Sequence, residues 1–183
     1  MIRLSLAVIV ISLSLSLWPA SGWADFQAGL EAFYGGKYQE AIKEWRPLAQ
    51  RGDPSAQFNL GLMYHEGWGV EQNFEEAGSW FRLAAEQGFA AAQYNLGNLY
   101  REGRGVPRDY EEASRWYLKA ADQEFAPAQF NLGSMYHEGL GLPQDYYEAL
   151  WWYSLAAKHG LTEAQVYLEK LYERTHQAPQ EFA

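Results

Sequence analysis

The sequence predicts an all-α protein built as a solenoid of helix-turn-helix repeats, and three observations predict it. The pair Ala-Gln recurs at 56–57, 92–93, 128–129 and 164–165, a spacing of 36 residues each time. Leu60-Gly61, Leu96-Gly97 and Leu132-Gly133 keep the same register, as do Tyr64, Tyr100, Tyr136 and Tyr172, the alanines 77, 113 and 149, and the tryptophans 80, 116 and 152. Within one period the apolar residues form two stripes of helical spacing: Ala56, Leu60, Met63 and Tyr64, then Phe74, Ala77, Phe81, Ala84 and Ala85 with Trp80 at the edge. A fixed period carrying two amphipathic helices is the mark of units that bury their apolar faces only against their neighbours.

The N-terminus follows different rules. Met1 to Arg3 is short and basic, Leu4 to Trp18 is apolar with interspersed serines, and Pro19 to Ala24 ends on small residues. That is the pattern of a secretory signal peptide, residues 1–24, with cleavage expected after Ala24. The other reading is an uncleaved anchor, but the apolar run falls short of the roughly 20 residues that a membrane-spanning helix needs. No cysteine occurs, which excludes lipid attachment through an N-terminal cysteine, disulfides and thiolate metal sites. The expected mature chain is periplasmic or secreted, with no stable insertion in the membrane.

Residues 25–52 read as a degenerate first repeat, keeping Ala41, Leu48, Ala49 and Gly52 around a loop shorter than the later ones. Residues 53–88, 89–124 and 125–160 are full repeats. Their second helices have a start written in: Asn73, Asp109 and Asp145 are N-cap types, each followed three positions on by Glu76, Glu112 or Glu148, a capping-box pattern. Gly52, Gly88 and Gly160 suit the left-handed position that ends such a helix, and Glu124 stands in that place in the remaining unit. Residues 161–174 form a capping helix, with Glu169 where the repeats have Gly61, Gly97 and Gly133, and 175–183 are a loose tail.

The stretch YREGRGVPRDY, residues 100–110, sets two glycines among three arginines, as a phosphate-cradling loop does. Its copies YHEGWGVEQNF and YHEGLGLPQDY keep the tyrosine, both glycines and the final aromatic, and lose the arginines. What recurs is a backbone requirement and what varies is the charge, so the loop is read as a turn between helices.

These residues resemble the Sel-1-like repeat, a relative of the tetratricopeptide repeat with a longer loop. The pattern is Ala56-x-x-x-Leu60-Gly61-x-x-Tyr64-x-x-Gly67-x-Gly69-Val70, then Ala77-x-x-Trp80-x-x-x-Ala84-Ala85-x-x-Gly88. The resemblance implies a right-handed α/α superhelix and a non-enzymatic scaffold for protein or peptide segments in envelope assembly, signalling or host contact. Some exported, cysteine-rich relatives are associated with β-lactam binding or hydrolysis, which supplies the alternative of a cell-envelope enzyme. The missing cysteines, and the lack of a Ser-x-x-Lys motif, weaken it.

Charge and motifs narrow the function further. There are 14 Lys and Arg against 23 Asp and Glu, a formal net charge of −9 that opposes binding to nucleic acid and anionic lipid. No phosphate-binding loop, serine-hydrolase elbow or H-E-x-x-H zinc motif is present. His65-Glu66 and His137-Glu138 are each followed by glycine with no second ligand at the required spacing, so no metal and no cofactor is expected. One surface is a candidate for work. On the first helices a second row appears, Phe58, Leu62 and His65, then Tyr94, Asn98 and Arg101, then Phe130, Ser134 and His137, with Phe26, Leu30 and Phe33 as its extension into the first unit. By resemblance to tetratricopeptide arrays this row lines the concave, protein-binding side. The rings at 58, 94 and 130 have two readings, ligand contact or packing between helices. The variable positions 62, 65, 98, 101, 134 and 137 are expected to meet the partner, whose identity, like the oligomeric state, the sequence leaves open.

Overall fold

The computed structural model describes residues 20–177, and among them the chain forms nine α-helices and no strand. They are α1 (Ala20–Tyr34), α2 (Tyr38–Gln50), α3 (Pro54–Glu66), α4 (Phe74–Glu86), α5 (Ala90–Glu102), α6 (Tyr110–Ala121), α7 (Ala126–Glu138), α8 (Tyr146–Lys158) and α9 (Thr162–Gln177). This is a helix-turn-helix repeat solenoid of four helix pairs followed by a single helix. Of the leader expected over residues 1–24, residues 1–19 lie outside the described residues and 20–24 fall in α1; of the tail expected over 175–183, residues 178–183 lie outside them and 175–177 fall in α9. The chain divides into two compact units, Met1–Ala92 with Arg104–Val106, and Gln93–Gly103 with Pro107–Ala183.

In the first unit the core gathers Phe26, Leu30, Ala41, Trp45, Leu48, Leu60 and Met63, with Trp68, Val70 and Trp80 packed around them. The two helices of a pair approach closely because a glycine of one leaves room for a ring of the other. A Cβ on Gly61 would stand 2.5 Å from the Phe81 ring, and one on Gly29 would overlap the Trp45 indole. The second unit repeats the device: a Cβ on Gly97 would lie 2.6 Å from Tyr117, and one on Gly133 2.7 Å from Tyr153. Glu169, at the same register position in α9, is exposed, and no helix follows α9 among the described residues.

The caps form with one difference from expectation. The Asn73 side chain accepts from the backbone N–H groups of Glu75 and Glu76, Asp109 from Glu112, and Asp145 from Tyr147 and Glu148. The reciprocal half of a capping box is not made. The N–H of each cap residue donates instead to the carbonyl of the loop's first tyrosine: Asn73 to Tyr64 at 2.9 Å, Asp109 to Tyr100 at 2.9 Å, Asp145 to Tyr136 at 3.0 Å. The loop is thereby pinned at both ends, and Glu112 pairs instead with Arg115 at 2.8 Å.

Both glycines of every loop have positive φ, between 67° and 74°. The second has a further reason to lack a side chain: a Cβ on Gly141 would overlap the Tyr110 backbone, one on Gly105 that of Phe74, and one on Gly69 would lie 2.7 Å from the Tyr38 Cβ. Each loop therefore rests on the first turn of the preceding second helix. The helix-ending position is left-handed as expected, with φ 97° at Gly52, 89° at Gly88, 93° at Gly160 and 61° at Glu124, the one non-glycine with positive φ among the described residues.

Candidate protein-binding face

The row proposed from the sequence splits into three layers once the helices are placed. Its aromatic members pack. Phe58 is buried between Phe81 and Phe89, at ring distances of 5.8 and 5.1 Å; Tyr94 lies against Tyr117 and Phe125 at 5.9 and 5.4 Å; Phe130 lies against Tyr153 and Tyr167 at 5.4 and 5.0 Å. Each ring thus bridges its own second helix to the segment that follows. The extension into the first unit is core as well: Phe26 and Leu30 are buried, and Phe33 packs on Trp45, Tyr38 and Trp68.

The middle layer, positions 62, 98 and 134, is engaged within the helix pairs and does not form a free contact surface. Leu62 is only 4% exposed. Asn98 Oδ1 accepts the Tyr117 hydroxyl at 2.7 Å and the Asn131 side-chain amide at 3.3 Å, while Ser134 Oγ accepts the Tyr153 hydroxyl at 3.2 Å. The variation here follows the opposing ring. Phe81 has no hydroxyl and the corresponding position is Leu62, whereas Tyr117 and Tyr153 each bring a donor and meet Asn98 and Ser134. Burial pushes the Tyr117 phenol's pKa well up, with the positive charge of Arg101 opposing, so the hydroxyl stays protonated and donates. Unlike residues appear at this layer because a buried hydroxyl needs a partner.

The outer layer remains partly open: His65, Arg101 and His137, at the C-terminal ends of α3, α5 and α7. His65 Nδ1 lies 2.8 Å from Glu66 Oε1, and the imidazole stands edge-on to Phe74 at 5.2 Å. His137 meets Tyr146 in the same way at 5.7 Å. Arg101 donates through Nη2 to Glu102 at 3.2 Å. Burial, which would lower its pKa, is outweighed by Tyr117, Glu102 and Tyr94, so the guanidinium is charged at every working pH. Among the described residues no group of three or more His, Asp or Glu side chains converges as a metal site, and no helix is long and apolar enough to cross a membrane.

The sequence reading missed a buried glutamine ladder. Gln57 donates to the Ala49 carbonyl at 3.0 Å and accepts from Gln87 at 2.8 Å, joining α2, α3 and the end of α4. In the second unit Gln129 donates to the Ala121 carbonyl at 3.1 Å, and its Oε1 lies 2.8 Å from His159 Nδ1. The signal was present in the repeated Ala-Gln pair, since a polar residue fixed in an apolar stripe marks a buried hydrogen bond.

Comparison with known proteins places this geometry. The Sel1 repeat matches residues 54–89, 90–125 and 126–161. A Sel1 repeat protein from Oxalobacter formigenes is 39% identical, with a TM-score of 0.78 over 82% of this chain and 62% of that one. A protective antigen of uropathogenic Escherichia coli with the same repeat fold is also 39% identical, with a TM-score of 0.81 over 84% of this chain and 34% of that one. The cysteine-rich protein B of Helicobacter pylori, 19% identical with a TM-score of 0.58 over 71% of this chain and 93% of that one, shares the fold. The chain therefore spans less than two thirds of the length of the first two. No curated protein matches it in sequence.

Proposed function

From the premise that this chain belongs to the Sel1 repeat family, we propose that it is an exported, non-enzymatic scaffold that binds a protein segment along the first-helix row, at His65, Arg101 and His137. The observation that carries the reading is the layering of that row: its inner positions serve the packing of the helices, while the outer positions stay partly exposed and alternate His, Arg, His along the chain. A constant frame with variable outer residues is how a repeat array can carry specificity. Arg101 contributes a permanent charge whose fork suits a carboxylate, in a protein that is otherwise acidic. The leader-like N-terminus supports export to the periplasm or beyond, and a relative that is a protective antigen agrees with a role at the cell envelope or in host contact.

The test begins with affinity capture of a partner by the purified chain from envelope extract, followed by calorimetry. Arg101→Ala and His137→Ala should each weaken that complex about tenfold, the scale of a lost hydrogen bond to a charged group, with the helical spectrum unchanged. Lys158→Ala, at the end of α8 and off the row, should leave it unaltered. Normal binding by both row variants would overturn the assignment of the face, and turnover of nitrocefin by the purified chain would overturn the non-enzymatic reading.

A further inference from the structure

The two units share a frame of residues in which one charged side chain is replaced by an apolar one. In the first unit Arg46 of α2 donates through Nη2 to the Tyr64 hydroxyl at 2.9 Å, Val70 and Trp80 pack on the core of the same unit, and Gly69 lies against Tyr38. In the second unit each of these positions recurs 72 residues later: Tyr136 for Tyr64, Trp152 for Trp80, Leu142 for Val70 and Gly141 for Gly69. Leu118 stands where Arg46 did. The shorter side chain leaves a cleft of about 240 Å³ lined by Leu118, Tyr136, Leu142, Trp152, Glu111 and Arg115, among others.

Three features of the cleft indicate what fills it. The Tyr136 hydroxyl, whose counterpart accepts from Arg46, has no hydrogen-bond partner among the described residues. The walls given by Trp152, Leu118 and Leu142 are apolar, as the carbon stem of a long basic side chain requires. The charge at the rim is negative. Arg115 is held by Glu112 at 2.8 Å and Glu111 at 3.4 Å, and Asp145 and Glu148 lie close enough to Tyr136 to raise its phenol's pKa, after burial as the first cause.

We propose that this cleft receives an arginine side chain of the bound protein segment, its guanidinium donating to the Tyr136 hydroxyl as Arg46 donates to Tyr64. The proposal rests on the scaffold reading above and adds a second contact, on α6 and α8, to the row on the first helices. The first unit shows the occupied form of the frame within the same chain. An arginine also complements the Glu111, Asp145 and Glu148 carboxylates, which a neutral or acidic side chain would not.

The probe is N-acetyl-arginine amide, titrated into the chain while the indole N–H signal of Trp152 is followed by NMR, with the citrulline and leucine analogues as controls. The arginine compound should give a saturable shift, with citrulline at least about fivefold weaker, because it keeps the stem and loses the charge. Tyr136→Phe removes a hydroxyl that has no partner, so it should fold normally and bind at least about fivefold more weakly. Leu118→Arg should abolish the shift and raise the unfolding midpoint, because the chain then fills its own cleft as Arg46 does. Equal response to leucine, unchanged binding by Tyr136→Phe, or continued binding by Leu118→Arg would each overturn the proposal. If they do so while Arg101→Ala and His137→Ala still weaken the captured partner, this inference falls alone and the scaffold reading stands.

Discussion

Glu124 holds a conformation that glycine adopts at the three equivalent positions, with φ 61° and its side chain in solvent. His159 Nε2 lies 3.9 Å from its carboxylate, too long for a hydrogen bond and too exposed on the Glu124 side to be worth much. Glu124→Gly should therefore raise the melting temperature, by a gain of no more than about 1 kcal/mol, since glycine's freedom in the unfolded chain offsets part of the relief. A lower melting temperature would mean that the His159 contact outweighs the backbone strain. This position was legible because its three copies are glycine. Asn98 and Ser134 were not, although the clue was inside the chain: Leu62 with Phe81, Asn98 with Tyr117 and Ser134 with Tyr153 change together. Those pairs lie 19 residues apart across a helix pair, and only the register of one helix on the other shows that they meet.

At the scale of the element, the sequence shows where helices start and stop, while the structure shows what the loops rest on. N-cap types, left-handed glycines and the stripes of both helices are local signals and were read from spacing. The cap N–H bond to Tyr64, Tyr100 or Tyr136, and the contact of the second loop glycine with the preceding helix, are set by chain reversal over nine or more residues and leave no local trace. The two kinds of glycine can be separated. Gly160 and Gly141 both have positive φ, but a Cβ on Gly160 meets nothing within 4 Å, whereas one on Gly141 would overlap the Tyr110 backbone. Gly160→Ala should cost about 1 kcal/mol, the left-handed penalty alone. Gly141→Ala should cost that and a further roughly 1–3 kcal/mol, because backbone cannot swing aside as a side chain can. Urea midpoints of the two variants test this, and equal losses would show that the loop lifts off the helix at little cost.

At the scale of the whole molecule, a repeat protein is held by each unit's burial against its neighbours, so a large core residue should support more than the helix that carries it. Trp116 of α6 is buried, with the Lys119 ammonium 3.9 Å from its ring centroid covering the outer side. Its indole N–H has no hydrogen-bond partner among the described residues, so truncation removes apolar contact without orphaning a hydrogen bond. Trp116→Ala should then cost about 3–5 kcal/mol, the range for a buried aromatic replaced by alanine. The loss should be shared. Hydrogen exchange should show protection falling together in α6, α7 and α8, since α6 packs on α7 and α7 on α8. Loss confined to α6 would mean that the helices of the second unit open one at a time, and an unchanged urea midpoint would mean that Trp116 contributes nothing to the core it lies in. The joint outcome also bears on binding: a frame that opens only in blocks keeps His137 and the Tyr136 cleft in fixed register, which a scaffold needs if it is to meet one segment at two places.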